Sequence, residues 1–366
     1  MKEQLTQLGK DFTSNELLKK WEYLDAESPD LLRDILQKAA DIDMFSSVID
    51  EKLGGSGLTP FEYSAFILEV SKVSAGVGLL FASHLMGITP VYFCKNEEKR
   101  TKILSDVIAS EGEKSSPLCA LAVCENNRSW PNPDQIKTTL TKKNEKNILS
   151  GIKTNVICAE LATHLSVLTM GENNEFIWLN IDAHSKGISI TPQRQRLGLR
   201  ICPVNNVEFD NVEISEEDIL SKHENLNHLH SYYGYFDSAL SAVALGISKA
   251  AYDIALKYST ERYQGGKIIC HHDAVKMLLS EMADSNEKNE ALISSESRSI
   301  LFSAEAVTES ERICLDAIQV LGGYGYMEDY KIERCLRDTK TLQSLIDPYS
   351  RKMAYIERKI NKARQA

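Results

Sequence analysis

The stretch QVLGGYGYMEDYKIERCLRD, residues 319–338, closes one segment of the chain and opens another. Upstream of it, Lys267 to Leu321 holds neither glycine nor proline. That is enough for two long antiparallel helices, joined by a short turn near EKNE (287–290) or SESRS (295–299). Gly322 and Gly323 end the run. A Gly-Gly step lets the backbone approach a bulky anion closely, because no Cβ intervenes. LGGYGY read alone is equally the turn that finishes a helix. Downstream, ERCLRD leads into TKTLQSLIDPYSRK (339–352), where Asp347 precedes a proline that biases it towards an extended backbone.

The segments further out define three regions. Leu240, Val243, Ala244, Ile247, Ala251, Ile254 and Tyr258 form one apolar helical stripe, so the C-terminal part is a four-helix bundle. Between about 117 and 215 the texture changes to LCALAVCE, KNILSGIKTNVIC, HLSVLTM, EFIWLNI, GISITPQ and NVEFDNVEI. These short runs, rich in β-branched and aromatic residues and parted by Gly, Asn and Asp, predict a small antiparallel β domain. Residues 14–110 read as helical again, with Ser28 and Asp30 as cap candidates around Pro29 and a Gly-rich turn at EKLGGSGL (51–58). The expected division is an N-terminal helical domain over 1–115, a β domain over 116–220 and a helical bundle over 221–366, an α+β arrangement.

Composition narrows the partners. The formal charge is −10, with basic residues gathered only in RKMAYIERKINKARQ at the C-terminal end, read as one face of a helix. Nucleic acid and anionic membrane are therefore not expected as partners. The start of the chain lacks an apolar signal core, and no uninterrupted apolar run approaches the ~18–20 residues of a membrane span. Eight scattered cysteines without a C-x-x-C pair fit reduced thiols in a cytoplasmic protein. CHHD (270–273) does not read as a metal site, because adjacent residues point to different sides of a helix.

Helix–β–helix order ending in QVLGGYGY and ERCLRD resembles the acyl-CoA dehydrogenase family over nearly the whole chain. EKLGGSGL looks like that family's early glycine turn, and CALAVCE (119–125) takes the place of its first strand. STERYQGGKII (259–269) looks like its Glu-Arg-x-Gln-Phe-Gly turn, with Gly265 at the Phe. The resemblance implies FAD, held across a dimer interface by Arg262 and Gln264 of one subunit and Gln319, Gly322 and Gly323 of another. An arginine and a glutamine there supply charged and neutral donors for a diphosphate and a ribityl chain. It further implies an acyl thioester on coenzyme A or an acyl carrier protein, an electron-transferring flavoprotein as acceptor, and a homodimer or homotetramer.

The sequence departs from the family where the flavin ring and the chemistry belong. Cys124 stands at the position of a ring-bonding Thr, Asn155 at that of a Trp, and Ile157 at that of a second Thr. Cysteine bonds more weakly than threonine, asparagine cannot stack like an indole, and isoleucine donates nothing. Trp130, in ENNRSWPNPD, is a candidate replacement ring. The catalytic Glu position, eight residues after Asp338, is Ile346, followed by Asp347 and Pro348. The alternative Glu position at the head of the bundle is Phe236, with Asp237 where an Arg belongs. Asp347, Asp237 and His84 are the candidate bases, each with an ordinary role open to it: a helix or turn cap, the N-cap of a helix over 238–262, and a pocket-lining or core residue. The expected function is flavin-dependent α,β-dehydrogenation of an acyl thioester with a non-standard base. Elimination, decarboxylation or desulfination on the same scaffold, or a non-catalytic subunit, are the alternatives.

Overall fold

The computed structural model describes residues 1–112, 117–126, 136–192, 195–294 and 299–365. Helices α1 (Lys2–Phe12), α2 (Pro29–Ala40), α3 (Pro60–Val73), α4 (Ala75–Tyr92) and α5 (Glu97–Gly112) form the first layer. Pro60 sits at the first turn of α3, where Thr59 and Glu62 close a reciprocal capping box. Ser28 occupies the N-cap position of α2 but makes no side-chain cap bond.

The middle layer is one sheet of β1 (Cys119–Ala122), β2 (Thr139–Lys143), β3 (Lys146–Ile157), β4 (His164–Gly171), β5 (Phe176–Asp182), β6 (Ile188–Ile190), β7 (Val204–Ile214) and β8 (Ile219–His223). Its order is β6-β7-β3-β2-β4-β5-β8, with β1 beside β4. The expected all-antiparallel pairing is corrected: β4 runs parallel to both β1 and β2. β2 and β8 were not among the expected strands.

Helices α6 (Leu229–Glu261), α7 (Asp273–Ser294), α8 (Leu301–Leu321) and α9 (Ile332–Ile346) make the bundle, and α10 (Pro348–Gln365) packs on α8. EKNE lies inside α7, so no turn falls there, while residues 295–298 of the other expected turn lie outside the described residues. A two-stranded hairpin, β9 (Tyr263–Gln264) and β10 (Lys267–Ile268), joins α6 to α7. In the apolar stripe of α6, Leu240, Val243, Ala244, Ile247 and Ala251 are buried as the periodicity predicts, and Ile254 and Tyr258 are half-buried against the core.

Two helical segments, Ala75–Tyr92 and Gly234–Glu261, are long and apolar enough by composition to cross a membrane, against the reading from uninterrupted runs. They lie 94% and 67% buried, which is the position of core helices. The sheet is tied to the bundle by Gly198, where a Cβ would come within 2.4 Å of the Arg337 backbone. Beside it Leu199 N–H donates to Asp338 at 2.5 Å.

Candidate functional site

The residues singled out by sequence fall into two separate places. Arg262, Gln264, Gln319, Gly322 and Gly323 line one open groove of about 700 Å³ at the far end of the bundle. Arg262 closes α6 and lies 5.5 Å from the centre of the Tyr324 ring. Its Nε is buried without a hydrogen-bond partner, while the residue lines the groove. Gly322 has a φ of +58°, and a Cβ on Gly322 or Gly323 would meet nothing within 4 Å. The groove thus offers close backbone approach and an unspent cationic donor, the donor set a diphosphate requires.

All five residues belong to one chain. Within one chain Arg262 and Gln264 thus lie beside Gln319, Gly322 and Gly323 in a single groove. The physical reason is the hairpin β9–β10, which folds back beside the end of α8.

Cys124, Asn155 and Ile157 line a different cavity, with Ser83, Met86, Phe236, Leu240, Leu345 and Arg351 among its other walls. It measures about 60 Å³, well below the ~300–1,000 Å³ of small-molecule sites. Burial pushes the Cys124 thiol up to about 12, so it is a neutral group there. Asn155 sits at φ +54°, where the pairing of β3 with β7 is irregular between Lys153 and Val156. No carboxylate is among the described residues lining this cavity.

The three candidate bases each have another task in the structure. His84 does not line the cavity; its neighbour Ser83 does. His84 Nε2–H donates to Phe45 O at 2.8 Å, and Nδ1 accepts from Cys119 N–H at 3.2 Å. Complete burial lowers its pKa to about 4, against the opposing effect of the Phe45 bond. Asp347 adopts a left-handed conformation between α9 and α10 rather than the expected extended one. It caps α10, its Oδ1 accepting from Ser350 N–H at 3.1 Å.

Asp237 lies inside α6, not at its N-cap, because the helix begins eight residues earlier at Leu229. Its Oδ1 accepts from Arg351 Nη1 at 2.6 Å and from the Ser303 hydroxyl. Arg351 Nη1 also donates to Ser303 at 3.1 Å, and its Nε to Ile346 O at 2.9 Å. Asp237 and Arg351 are each 3% exposed, so α6, α8 and α10 meet in a closed ionic cluster on the cavity wall.

Sequence reasoning missed Arg351, which sits among the basic residues of the last helix. It also missed Glu125 and Lys153, directly behind the cavity. Lys153 Nζ donates to Glu125 Oε1 at 2.6 Å. Glu125 also accepts from Lys137 N–H and Thr138 N–H, tying β1, β2 and β3 together beside Cys124 and Asn155. Trp130 lies outside the described residues. Among the described residues no group of three or more His, Cys, Asp or Glu converges as a metal site.

Helix–sheet–helix order thus carries an open, glycine-lined groove and a separate small apolar cavity. Residues 2–111 match the family model for the acyl-CoA dehydrogenase N-terminal domain, and residues 301–345 that for the C-terminal domain. An acyl-CoA dehydrogenase of Bacillus subtilis (strain 168) is 26% identical over 359 residues, covering 93% of this chain and 92% of the relative. Butyryl-CoA dehydrogenase from Megasphaera elsdenii shares the fold with a TM-score of 0.82 at 21% identity, covering 94% of each chain. An acyl-CoA dehydrogenase of Bacillus anthracis, solved in complex with FAD, gives 0.82 at 20% identity, covering 94% of this chain and 64% of that one. At both ends and, through its relatives, along 93% of its length, the chain is similar to the acyl-CoA dehydrogenase family, whose cofactor is FAD and whose members are oxidoreductases of the CH–CH class.

The two places fit FAD unequally. The groove suits the pyrophosphate half, with Arg262, Gln264, Gln319 and the Gly322–Gly323 backbone as its holders. The cavity at Cys124, Asn155 and Ile157 does not fit an isoalloxazine ring, because it is too small and the Arg351–Asp237–Ser303 cluster closes its wall.

Proposed function

We propose that this chain serves flavin-dependent α,β-dehydrogenation of an acyl thioester carried on coenzyme A or an acyl carrier protein. Its own part is to hold the pyrophosphate half of FAD through Arg262, Gln264, Gln319, Gly322 and Gly323. The observation that carries this reading is their convergence in one open groove, together with the unspent Nε of Arg262. Bound FAD supplies the two-electron acceptor for the Cα–Cβ bond. An electron-transferring flavoprotein is the acceptor that suits a reduced flavin of this kind.

The test is cofactor binding. Purified protein takes up FAD on dialysis, and R262A weakens that uptake about 10- to 100-fold, the loss of a charge-assisted pair to a phosphate. Protein that takes up no FAD, or an R262A variant that binds as well as the parent, would refute the assignment.

A second reading keeps catalysis in this chain, with Asp237 as the base once Arg351 is withdrawn. Its motivation is that Arg351 both lines the cavity and holds Asp237. It predicts that a saturated acyl thioester bleaches bound flavin in the parent but not in D237N.

A further inference from the structure

We propose that Cys158 and Cys202 are the two halves of an intramolecular disulfide, made by exchange with a small-molecule disulfide and closing the end of β3 onto the loop that precedes β7.

All eight cysteines are free thiols in the structure, yet two of them touch. Cys158 Sγ lies 3.4 Å from Cys202 Sγ, and both residues are fully buried. A disulfide needs about 2.05 Å between its sulfurs, so about 1.4 Å separates this contact from a bond. Among the described residues no other pair of cysteines is in hydrogen-bonding contact.

The backbone holds the pair in register. β3 and β7 are paired through Ile157 and Val204, and one step further out Cys158 N–H donates to Pro203 O at 2.8 Å. Cys158 takes a left-handed conformation there, φ +60° and ψ +24°, which few residues other than glycine adopt. Cys202 is fixed from its own side, its N–H donating to Leu199 O at 3.1 Å and its carbonyl accepting from Arg196.

The bond would join the cavity wall to the bundle. Asn155 and Ile157, just before Cys158 on β3, line the small cavity. On the other side, Gly198 N–H donates to Thr341 Oγ1 at 2.9 Å, and Leu199 N–H bonds Asp338 on α9. Oxidation therefore clamps the end of β3 to a loop already anchored on α9. The crosslinked residues are 44 apart in sequence, a loop long enough for the bond to restrict the unfolded chain substantially.

The exchange balances in two steps. One cysteine sulfur attacks a sulfur of the reagent disulfide; that S–S bond breaks, and one reagent thiol leaves with the proton the cysteine gave up. The second cysteine then attacks the mixed disulfide, forming the Cys158–Cys202 bond and releasing the second reagent thiol with its proton. Two protein thiols are oxidised and one reagent disulfide is reduced to two thiols. Burial and then the Cys202 contact push the Cys158 thiol well above its ordinary value, and the Arg196 cation offsets this only in part. Exchange in the closed protein is therefore slow and follows local opening of the loop.

For the test, purified full-length protein is incubated with oxidised glutathione at about pH 8, in buffer and in urea below the unfolding transition, then unfolded in N-ethylmaleimide. Mass spectrometry is expected to show two of the eight thiols unlabelled and one crosslinked pair of peptides holding Cys158 and Cys202, formed sooner in urea. The oxidised protein is expected to melt about 5 °C above the reduced one, and Cys202→Ser to abolish both the crosslink and the shift. Eight labelled thiols after prolonged exposure, glutathione left on Cys158 without closure, or a crosslink between other cysteines overturns the proposal. A Cys158–Cys202 bond that leaves the melting temperature unchanged or lowers it overturns the clamp.

Discussion

Changing Lys153 to methionine is expected to be among the most damaging single substitutions behind the cavity. The lysine side chain is 0% exposed and Glu125 5%, with 2.6 Å between Nζ and Oε1. At that distance the Coulomb attraction is about 6 kcal/mol for an effective dielectric of ~20. Desolvation of each ion costs several kcal/mol, so the intact pair contributes little net stability. Removing only the lysine leaves a buried carboxylate without its counter-charge, a loss of about 3–5 kcal/mol. In E125Q/K153M the glutamine carbonyl still accepts from Lys137 or Thr138, leaving one amide unmet at about 1–3 kcal/mol. Urea unfolding at pH 7, followed by circular dichroism, measures both against the parent.

Acid provides a second reading of the same pair. Burial alone would raise the Glu125 pKa, but Lys153 and the two amides outweigh it and hold the group below its ordinary 4.5. The stabilisation is therefore complete above that value and is lost as pH falls through the lower folded pKa. A K153M variant within about 1 kcal/mol of the parent at pH 7 would refute the reasoning, since a dry carboxylate could not stay so well tolerated.

Other expectations concern the candidate bases. Unfolded His84 takes its proton at 6.5 and the folded residue only at about 4. Stability should therefore be flat above pH 6.5 and fall by about 3 kcal/mol towards pH 4. H84Q, whose amide can donate to Phe45 and accept from Cys119, should flatten that slope in urea titrations across the range. D237N leaves Arg351 buried without its carboxylate and should cost about 3–5 kcal/mol. D347A removes only a helix cap, a loss of about 0.5–2 kcal/mol, so the two melting curves should separate clearly.

The layer order and the groove were legible because they rest on local signals. Glycines, a glycine-free and proline-free run, and a 3.6-residue apolar period all act within a few turns of chain. The cavity was less legible, because its closure depends on pairs far apart in sequence. Asp237 and Arg351 are 114 residues apart, and nothing near Arg351 separates it from the other basic residues of its helix.

At β3 the burial runs against simple alternation, with Ile152 50% exposed and Lys153 fully buried, the reverse of an ordinary amphipathic strand. The partner that makes this tolerable, Glu125, lies 28 residues back, just beyond the end of β1. β2 and β8 escaped notice for a similar reason. TLTKK and ILSKH carry exposed lysines, and their pairing with neighbouring strands, not their own pattern, makes them strands.

The length of α6 has an evolutionary consequence. A rigid rod about 50 Å long, at 1.5 Å for each of its 33 residues, keeps its two ends from sharing a ligand. Selection on one end is then blind to the other. Substitutions around Cys124 and Asn155 can therefore accumulate without disturbing the packing at Arg262.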